Sequence, residues 1–174
     1  MRFFVASLAL AAVVSGCTTI DSLPEERLGE ATIRLPSGIP IGSAQITRKG
    51  DRLTLSAAVA GIEPGIHGFH LHTTGKCIAP DFTSAGGHLN PGGKAHGSLS
   101  AGGKHLGDMP NLDVASNRTA TAVVDLPGEP SNVMADLFDA DGTAIVIHAN
   151  ADDYRTDPTG NAGSRIACGV FEAN

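Results

Sequence analysis

Short apolar runs rich in β-branched residues and partly alternating with polar ones recur along the chain, at residues 31–35, 41–49, 53–60, 65–72, 119–126, 133–138, 143–148 and 164–171. A period of two sends successive side chains to opposite faces of an extended segment, so each run reads as a strand with one buried face. Gly, Pro, Asn and Asp fill the gaps, and eight such runs predict an all-β sandwich or barrel. Lys49-Gly50-Asp51-Arg52 and Asp139-Ala140-Asp141-Gly142 read as hairpin-like connections. No helical stripe stands out. Two long stretches, residues 73–118 and 149–163, break the rhythm, and long loops in a compact domain usually carry function.

The chain has 174 residues, enough for one domain with a real core, and 41% apolar with 17% charged residues is ordinary globular composition. With no Trp, one Tyr and 22 Gly, thin strands and tight turns are favoured over a core of large aromatics. A net charge of −6 removes the clustered cations that gripping a phosphate backbone needs, so nucleic acid is not an expected partner. Seven His is the unusual count.

Residues 1–17 begin with Met1-Arg2, continue with an apolar run to Val14 and end in Val14-Ser15-Gly16-Cys17. A basic start, about a dozen apolar residues and small residues at the end make an export signal, too short to span a bilayer comfortably. Small residues before a Cys resemble the lipobox of bacterial lipoproteins. On that reading, residues 1–16 are a lipoprotein signal peptide, Cys17 is lipidated, residues 17–30 include a polar tether, and residues 31–174 form the domain. Of three cysteines in an exported chain, Cys17 is then the odd one, and Cys77 and Cys168 are left to pair in an oxidising compartment.

In Phe69-His70-Leu71-His72 the two histidines stand at i and i+2, which on a strand places both imidazoles on one face, in reach of one metal ion, with Phe69 and Leu71 toward the core. Downstream come His88, His96, His105 and Asp108, spaced 8, 9 and 3 apart, and His148 ends a hydrophobic run. Six His and one Asp form a metal-binding constellation.

The segments GFHLH (68–72), AGGHLNP (85–91), KAHG (94–97), HLGDMPNL (105–112), IVIHANADD (145–153) and GNAGSRIACGV (160–170) closely resemble the copper/zinc superoxide dismutase family, in its bacterial periplasmic lipoprotein form. The resemblance implies a Greek-key β-barrel or sandwich of about eight antiparallel strands, with two long functional loops, one binding metal and one electrostatic. It implies one copper and one zinc ion per chain. Copper would be held by His70, His72, His88 and His148, and zinc by His88, His96, His105 and Asp108, with His88 bridging. Imidazole suits copper, and three His with one carboxylate suit a closed structural zinc site. Asp152 matches a carboxylate that accepts hydrogen bonds from His70 and His96 and so fixes their rings. Arg165, near Cys168, matches an arginine beside the copper that orients a small anion, and Thr159 matches the other wall of the substrate channel. His67 matches a structural histidine bonded to backbone.

The activity so implied is dismutation of superoxide to oxygen and hydrogen peroxide by Cu(II)/Cu(I) cycling, with His88 and Arg165 in the catalytic roles. Lys94, Lys104 and Arg155 are the cations that would help Arg165 draw an anion to an acidic protein. The stretch between His148 and Arg165 is shorter than in the well-known eukaryotic members and lacks their acidic, lysine-bearing segment. Lipid on Cys17 would place the protein on the periplasmic side of a bacterial membrane, and Thr18 after it resembles outer-membrane sorting. Homodimer formation stands as an option for its assembly. The competing reading is a periplasmic copper/zinc buffer on the same fold, for which the anion-orienting Arg165 has no use.

Overall fold

Alternation in the sequence becomes alternation in burial across residues 23–174, the part of the chain described by the computed structural model. Cys17, the expected signal peptide and the first part of the expected tether lie outside the described residues. In β1 (Glu26–Arg34) Ala31 and Ile33 are buried while Glu30, Thr32 and Arg34 face out. β2 (Pro40–Lys49) buries Ala44 and Ile46, and β3 (Arg52–Ala60) buries Leu53, Leu55, Ala57 and Val59. Lys49 pairs with Arg52, so Gly50-Asp51 is the two-residue turn read from the sequence, with Gly50 at φ +61°.

Residues 65–72 divide at Gly68 into β4 (Gly65–His67) and β5 (Phe69–His72). Then follow β6 (Leu112–Val114), β7 (Thr119–Leu126), α1 (Pro130–Leu137), β8 (Ala144–His148), β9 (Arg165–Val170) and β10 (Glu172–Ala173). The main sheet is antiparallel in the order β5-β8-β9-β1-β2-β3-β7, with β10 added beside β1, and β4 pairs with β6 in a separate ribbon. β1-β2-β3 and β8-β9 stay neighbours along the sheet, whereas β3 pairs with β7 and β5 with β8, so the chain crosses over between these pairs in keeping with the Greek-key expectation. A Cβ on Gly68 would lie 2.7 Å from that of Ala162, so the switch between sheets runs through a spot only glycine fits. Ile33, Ile46, Leu55, Phe69, Leu71, Ile145 and Ile147 are fully buried, each worth about 1.5–3 kcal/mol of transfer free energy.

Three expectations need correction. Residues 133–138, read as a strand, belong to helix α1. Pro130 begins it, Glu129 caps it by accepting from the Ser131 and Asn132 N–H groups, and Pro130, Val133 and Leu137 form its buried side. Residues 139–142 consequently form a helix-to-strand turn and not a hairpin, with Asp139 Oδ1 accepting from the Asp141 and Gly142 N–H groups. The domain begins before residue 31, where the sequence placed its start, because Glu26 already pairs with Arg48. Among the described residues there are ten strands, close to the eight or so expected. The net gain comes from the division at Gly68, from two short strands, and from the run lost to α1.

Candidate metal centre

All four residues of β5 are fully buried, which a strand with one solvated face would not allow. Its Phe69–Leu71 face meets the core. Its outer edge is covered by the long loop: Leu71 N–H donates to Gly107 O (3.0 Å), Leu89 N–H to Leu71 O (2.8 Å) and Thr73 N–H to Gly87 O (3.0 Å). These bonds dock the loop so that His88 pairs with His72 and Asp108 with His70. On the other edge β5 pairs with β8, and a register shift after Ile147 re-aims His148 at the end of that strand.

Ligand atoms of His70, His72, His88 and His148 lie within 4.8 Å of one another. In each ring one nitrogen is engaged. His72 Nδ1–H donates to Gly86 O (3.0 Å) and His148 Nδ1–H to Gly163 O (3.1 Å), while His70 Nε2 lies 2.7 Å from Asp152 Oδ2 and His88 Nδ1 2.9 Å from Asp108 Oδ1. A carbonyl can only accept, so the protons of His72 and His148 sit on Nδ1 and their Nε2 atoms present lone pairs. The second nitrogens, His70 Nδ1 and the Nε2 atoms of His72, His88 and His148, are buried and have no hydrogen-bond partner among the described residues. Each unpaired buried polar atom costs about 1–3 kcal/mol, and four together fit a bound cation that imidazole suits, such as copper. Burial, the largest cause in each case, pushes His72 down to about 2, His88 to about 4 and His148 to about 3, so all three are neutral ligands at pH 7.

His88, His96, His105 and Asp108 form a second set within the same limit. Asp108 Oδ1 stands 2.9, 3.0 and 3.1 Å from Nδ1 of His88, His96 and His105. Three imidazoles around one oxygen are a poor set of hydrogen bonds, and His96 Nδ1 makes none. Donors on a tetrahedron with bonds of about 2.0–2.1 Å are spaced about 3.3 Å apart, so the set fits zinc. Asp108 Oδ2 accepts from the N–H groups of Gly97 (2.8 Å) and His105 (3.0 Å), which fixes the carboxylate. Burial pushes this carboxyl up, but the bonds from His88, Gly97 and His105 outweigh it and hold it well below the usual range. His88 belongs to both sets, through Nδ1 to one and Nε2 to the other.

Asp152 stands where expected, with Oδ2 toward His70 Nε2 (2.7 Å) and Oδ1 toward His96 Nε2 (3.0 Å). Its own supports were not legible in the sequence. Tyr154 N–H donates to Asp152 Oδ1 (2.6 Å), the Asn111 side chain bonds both the N–H and the C=O of Asp152, and Asn111 N–H donates to the Tyr154 hydroxyl (2.7 Å). A Cβ on Gly160, at φ +64°, would overlap the Asp152 carboxylate and crowd His96 Nε2. Asn111 lies within the 105–112 motif, and Tyr154 is the chain's one tyrosine; these were the available signals. His67 keeps the structural role expected of it, between the His148 and Glu63 carbonyls.

Cys77 and Cys168 are joined in a disulfide that holds residues 77–86 against β9. Arg165 donates from Nη1 to Phe82 O (2.7 Å) and from Nη2 to Gly86 O (2.6 Å), the same carbonyl that orients His72. With Pro80, Asp81, Thr83, Gly163 and Ser164 it lines a cleft of about 550 Å³. Thr159 does not line this cleft; it is exposed on a neighbouring turn, where its N–H donates to Thr156 O (3.2 Å). Lys94, Lys104 and Arg155 do not line it either, and Lys94 and Lys104 border a different cavity next to His105.

The family described as copper/zinc superoxide dismutase (SODC) matches residues 41–171. Superoxide dismutase [Cu-Zn] 1 of Aquifex aeolicus is 40% identical over 154 residues, covering 87% of this chain and 91% of that protein. Superoxide dismutase [Cu-Zn] of Caulobacter vibrioides is 37% identical over 151 residues, covering 82% and 84%. Among solved structures, a superoxide dismutase-like protein from Bacillus subtilis superposes with a TM-score of 0.76 at 34% identity, covering 83% of this chain and 98% of that one. Cu/Zn superoxide dismutase from Brucella abortus does so with a TM-score of 0.65 at 26% identity, covering 82% and 98%.

Proposed function

Because the chain belongs to the copper/zinc superoxide dismutase family, we propose that its two side-chain clusters are the metal sites of a superoxide dismutase, an oxidoreductase that uses copper and zinc. Copper would be held by His70, His72, His88 and His148, and zinc by His88, His96, His105 and Asp108. The observation that carries this assignment is the convergence of four partnerless buried imidazole nitrogens beside a three-imidazole, one-carboxylate set, joined through the single ring of His88.

When bound, copper supplies one-electron redox chemistry between Cu(II) and Cu(I), and zinc supplies order to the loop that carries its ligands. Two superoxide ions and two protons become one oxygen and one hydrogen peroxide. His88 is the proton carrier: Nδ1 is committed to the Asp108 side, while Nε2 can take up and release a proton without breaking an existing hydrogen bond. Asp152 holds the rings of His70 and His96 in orientation. Arg165 presents a fixed cation to the anionic substrate, and its link through Gly86 O keeps it in register with His72. A metal buffer needs no such arginine, which weighs against that alternative.

The test is superoxide decay catalysed by the purified, zinc-loaded protein as copper is added. The rate should rise and saturate near one copper per chain, and Arg165→Ala should lower it at least about tenfold at unchanged copper content. Tight copper binding without catalysed decay would overturn the assignment in favour of a buffer.

The same reading extends to the leader: residues 1–16 as a lipoprotein signal peptide, Cys17 as the lipidated residue, and the periplasmic face of the outer membrane as the site of action. Pairing of Cys77 with Cys168 supports it, since it leaves Cys17 as the odd cysteine and suits an oxidising compartment. The Cys17→Ser protein should leave the membrane fraction, and its continued sedimentation with membranes would count against the anchor.

A further inference from the structure

We propose that Asp81 is a steering residue of opposite sign to Arg165, a fixed negative charge in the substrate cleft that shortens the reach of the guanidinium and so sets how strongly the rate depends on ionic strength. The inference rests on reading Arg165 as the group that draws in the anion. Of the six residues lining the cleft, Arg165 and Asp81 carry the formal charges. The cations picked out from the sequence lie elsewhere, so among the described residues no second positive group in the lining offsets the carboxylate.

Asp81 is exposed but held in place. Its Oδ1 accepts from Thr83 N–H (3.0 Å) and from the Thr83 hydroxyl (2.9 Å), a local turn in which the next residue, Phe82, takes a left-handed conformation at φ +55°. Phe82 in turn gives its carbonyl to Arg165 Nη1. One three-residue stretch thus grips the guanidinium and sets a carboxylate in the same cleft. The carboxyl is held below its ordinary range chiefly by Thr83, with a smaller contribution from the field of Arg165, and Asp81 raises the Arg165 guanidinium against the downward push of burial. The two charges therefore sense each other while the guanidinium is engaged with carbonyls.

The consequence is geometric. Seen from beyond their separation, a cation and an anion form a dipole, whose attraction for an approaching anion fades faster than that of a lone charge. Removing the carboxylate leaves a lone charge, whose influence extends to about 30 Å at 0.01 M ionic strength, about 10 Å at 0.1 M and about 3 Å at 1 M. Asparagine preserves the turn, because its own Oδ1 can accept both Thr83 bonds.

The experiment uses the copper- and zinc-loaded protein, with azide as the probe anion followed by the visible copper absorption, in parallel with superoxide decay. At 0.01 M ionic strength Asp81→Asn should bind azide about threefold more tightly and turn over superoxide about threefold faster, Asp81→Lys should go further in both, and the differences should close at 1 M. Equal azide affinity in all three proteins at low salt would overturn the proposal, as would a difference that survives at 1 M, which would mark a contact effect. Arg165→Ala separates the premise: unchanged azide affinity in that variant removes the role given to Arg165, whatever the Asp81 variants do.

Discussion

Asp108→Asn should strip zinc from the protein while leaving the four imidazoles of the copper set in place. One oxygen, Asp108 Oδ1, is shared by three Nδ1 atoms at 2.9–3.1 Å, and the other is fixed by two backbone N–H groups. An amide has one oxygen for these two tasks. Turned one way, its NH₂ opposes the Gly97 and His105 N–H groups; turned the other, it meets the imidazole lone pairs where a cation should sit. In both orientations the negative charge is gone. Since losing an outer partner of a ligand already costs about 10–100-fold in affinity, losing the ligand itself should cost at least a hundredfold. Competition with a chromogenic chelator at neutral pH measures this, and zinc held as tightly as in the unmodified protein would contradict the assignment. Amide exchange across residues 88–108 should quicken in the same variant, because the loop is held at that point by the metal ligands.

The long strands were legible because residues 41–60 alternate cleanly and a two-residue glycine turn joins β2 to β3. Helix α1 escaped because Val133 and its apolar neighbours resemble a strand run. The deciding signals were Glu129-Pro130 and the spacing of Pro130, Val133 and Leu137. Strands of two or three residues, such as β6 and β10, are too short to show any period; they exist because a neighbour offers an edge. In the metal centre, donor type and spacing carry the information, so six His and Asp108 were visible from the sequence and the fold brings all of them together. Asn111, Tyr154 and Gly160 were not, because what they contribute is a bond to backbone, a backbone N–H and the absence of a side chain, none of which a residue type announces. Asp81 was not legible for another reason: a group that steers an anion is expected to be a cation, and only the folded loop shows which charges share the cleft.

Acidification from pH 7.5 toward 4 should sharply destabilise the metal-free protein, and the metal-loaded protein should resist it. His72, His88 and His148 are held at about 2, 4 and 3 by burial, below the 6.5 of a free imidazole. Between those values the unfolded chain binds protons that the folded one excludes, so stability is intact above 6.5 and falls as the pH drops toward the folded values. For His88 alone the loss by pH 4 is on the order of 3 kcal/mol at about 1.4 kcal/mol per pH unit, and the three rings contribute as a coupled group. Asp108 and Asp152, both held below the ordinary 3.8, add a separate loss only below that pH. Bound metal opposes both losses by occupying the lone pairs that protons would take, adding about 4 kcal/mol when free metal is a thousand times its dissociation constant. Tyr154 is the one tyrosine in a chain without tryptophan, so its fluorescence in a urea titration at each pH reports unfolding directly from a residue whose backbone N–H donates to Asp152 and whose hydroxyl accepts from Asn111 N–H. A urea midpoint that stays flat from pH 7.5 to 4.5 in the metal-free protein would show that these imidazoles are not held neutral by the fold. A falling midpoint, restored by zinc and copper, would tie the two properties to one cause: the burial that keeps the rings unprotonated and ready for metal is what the empty fold must bear in acid.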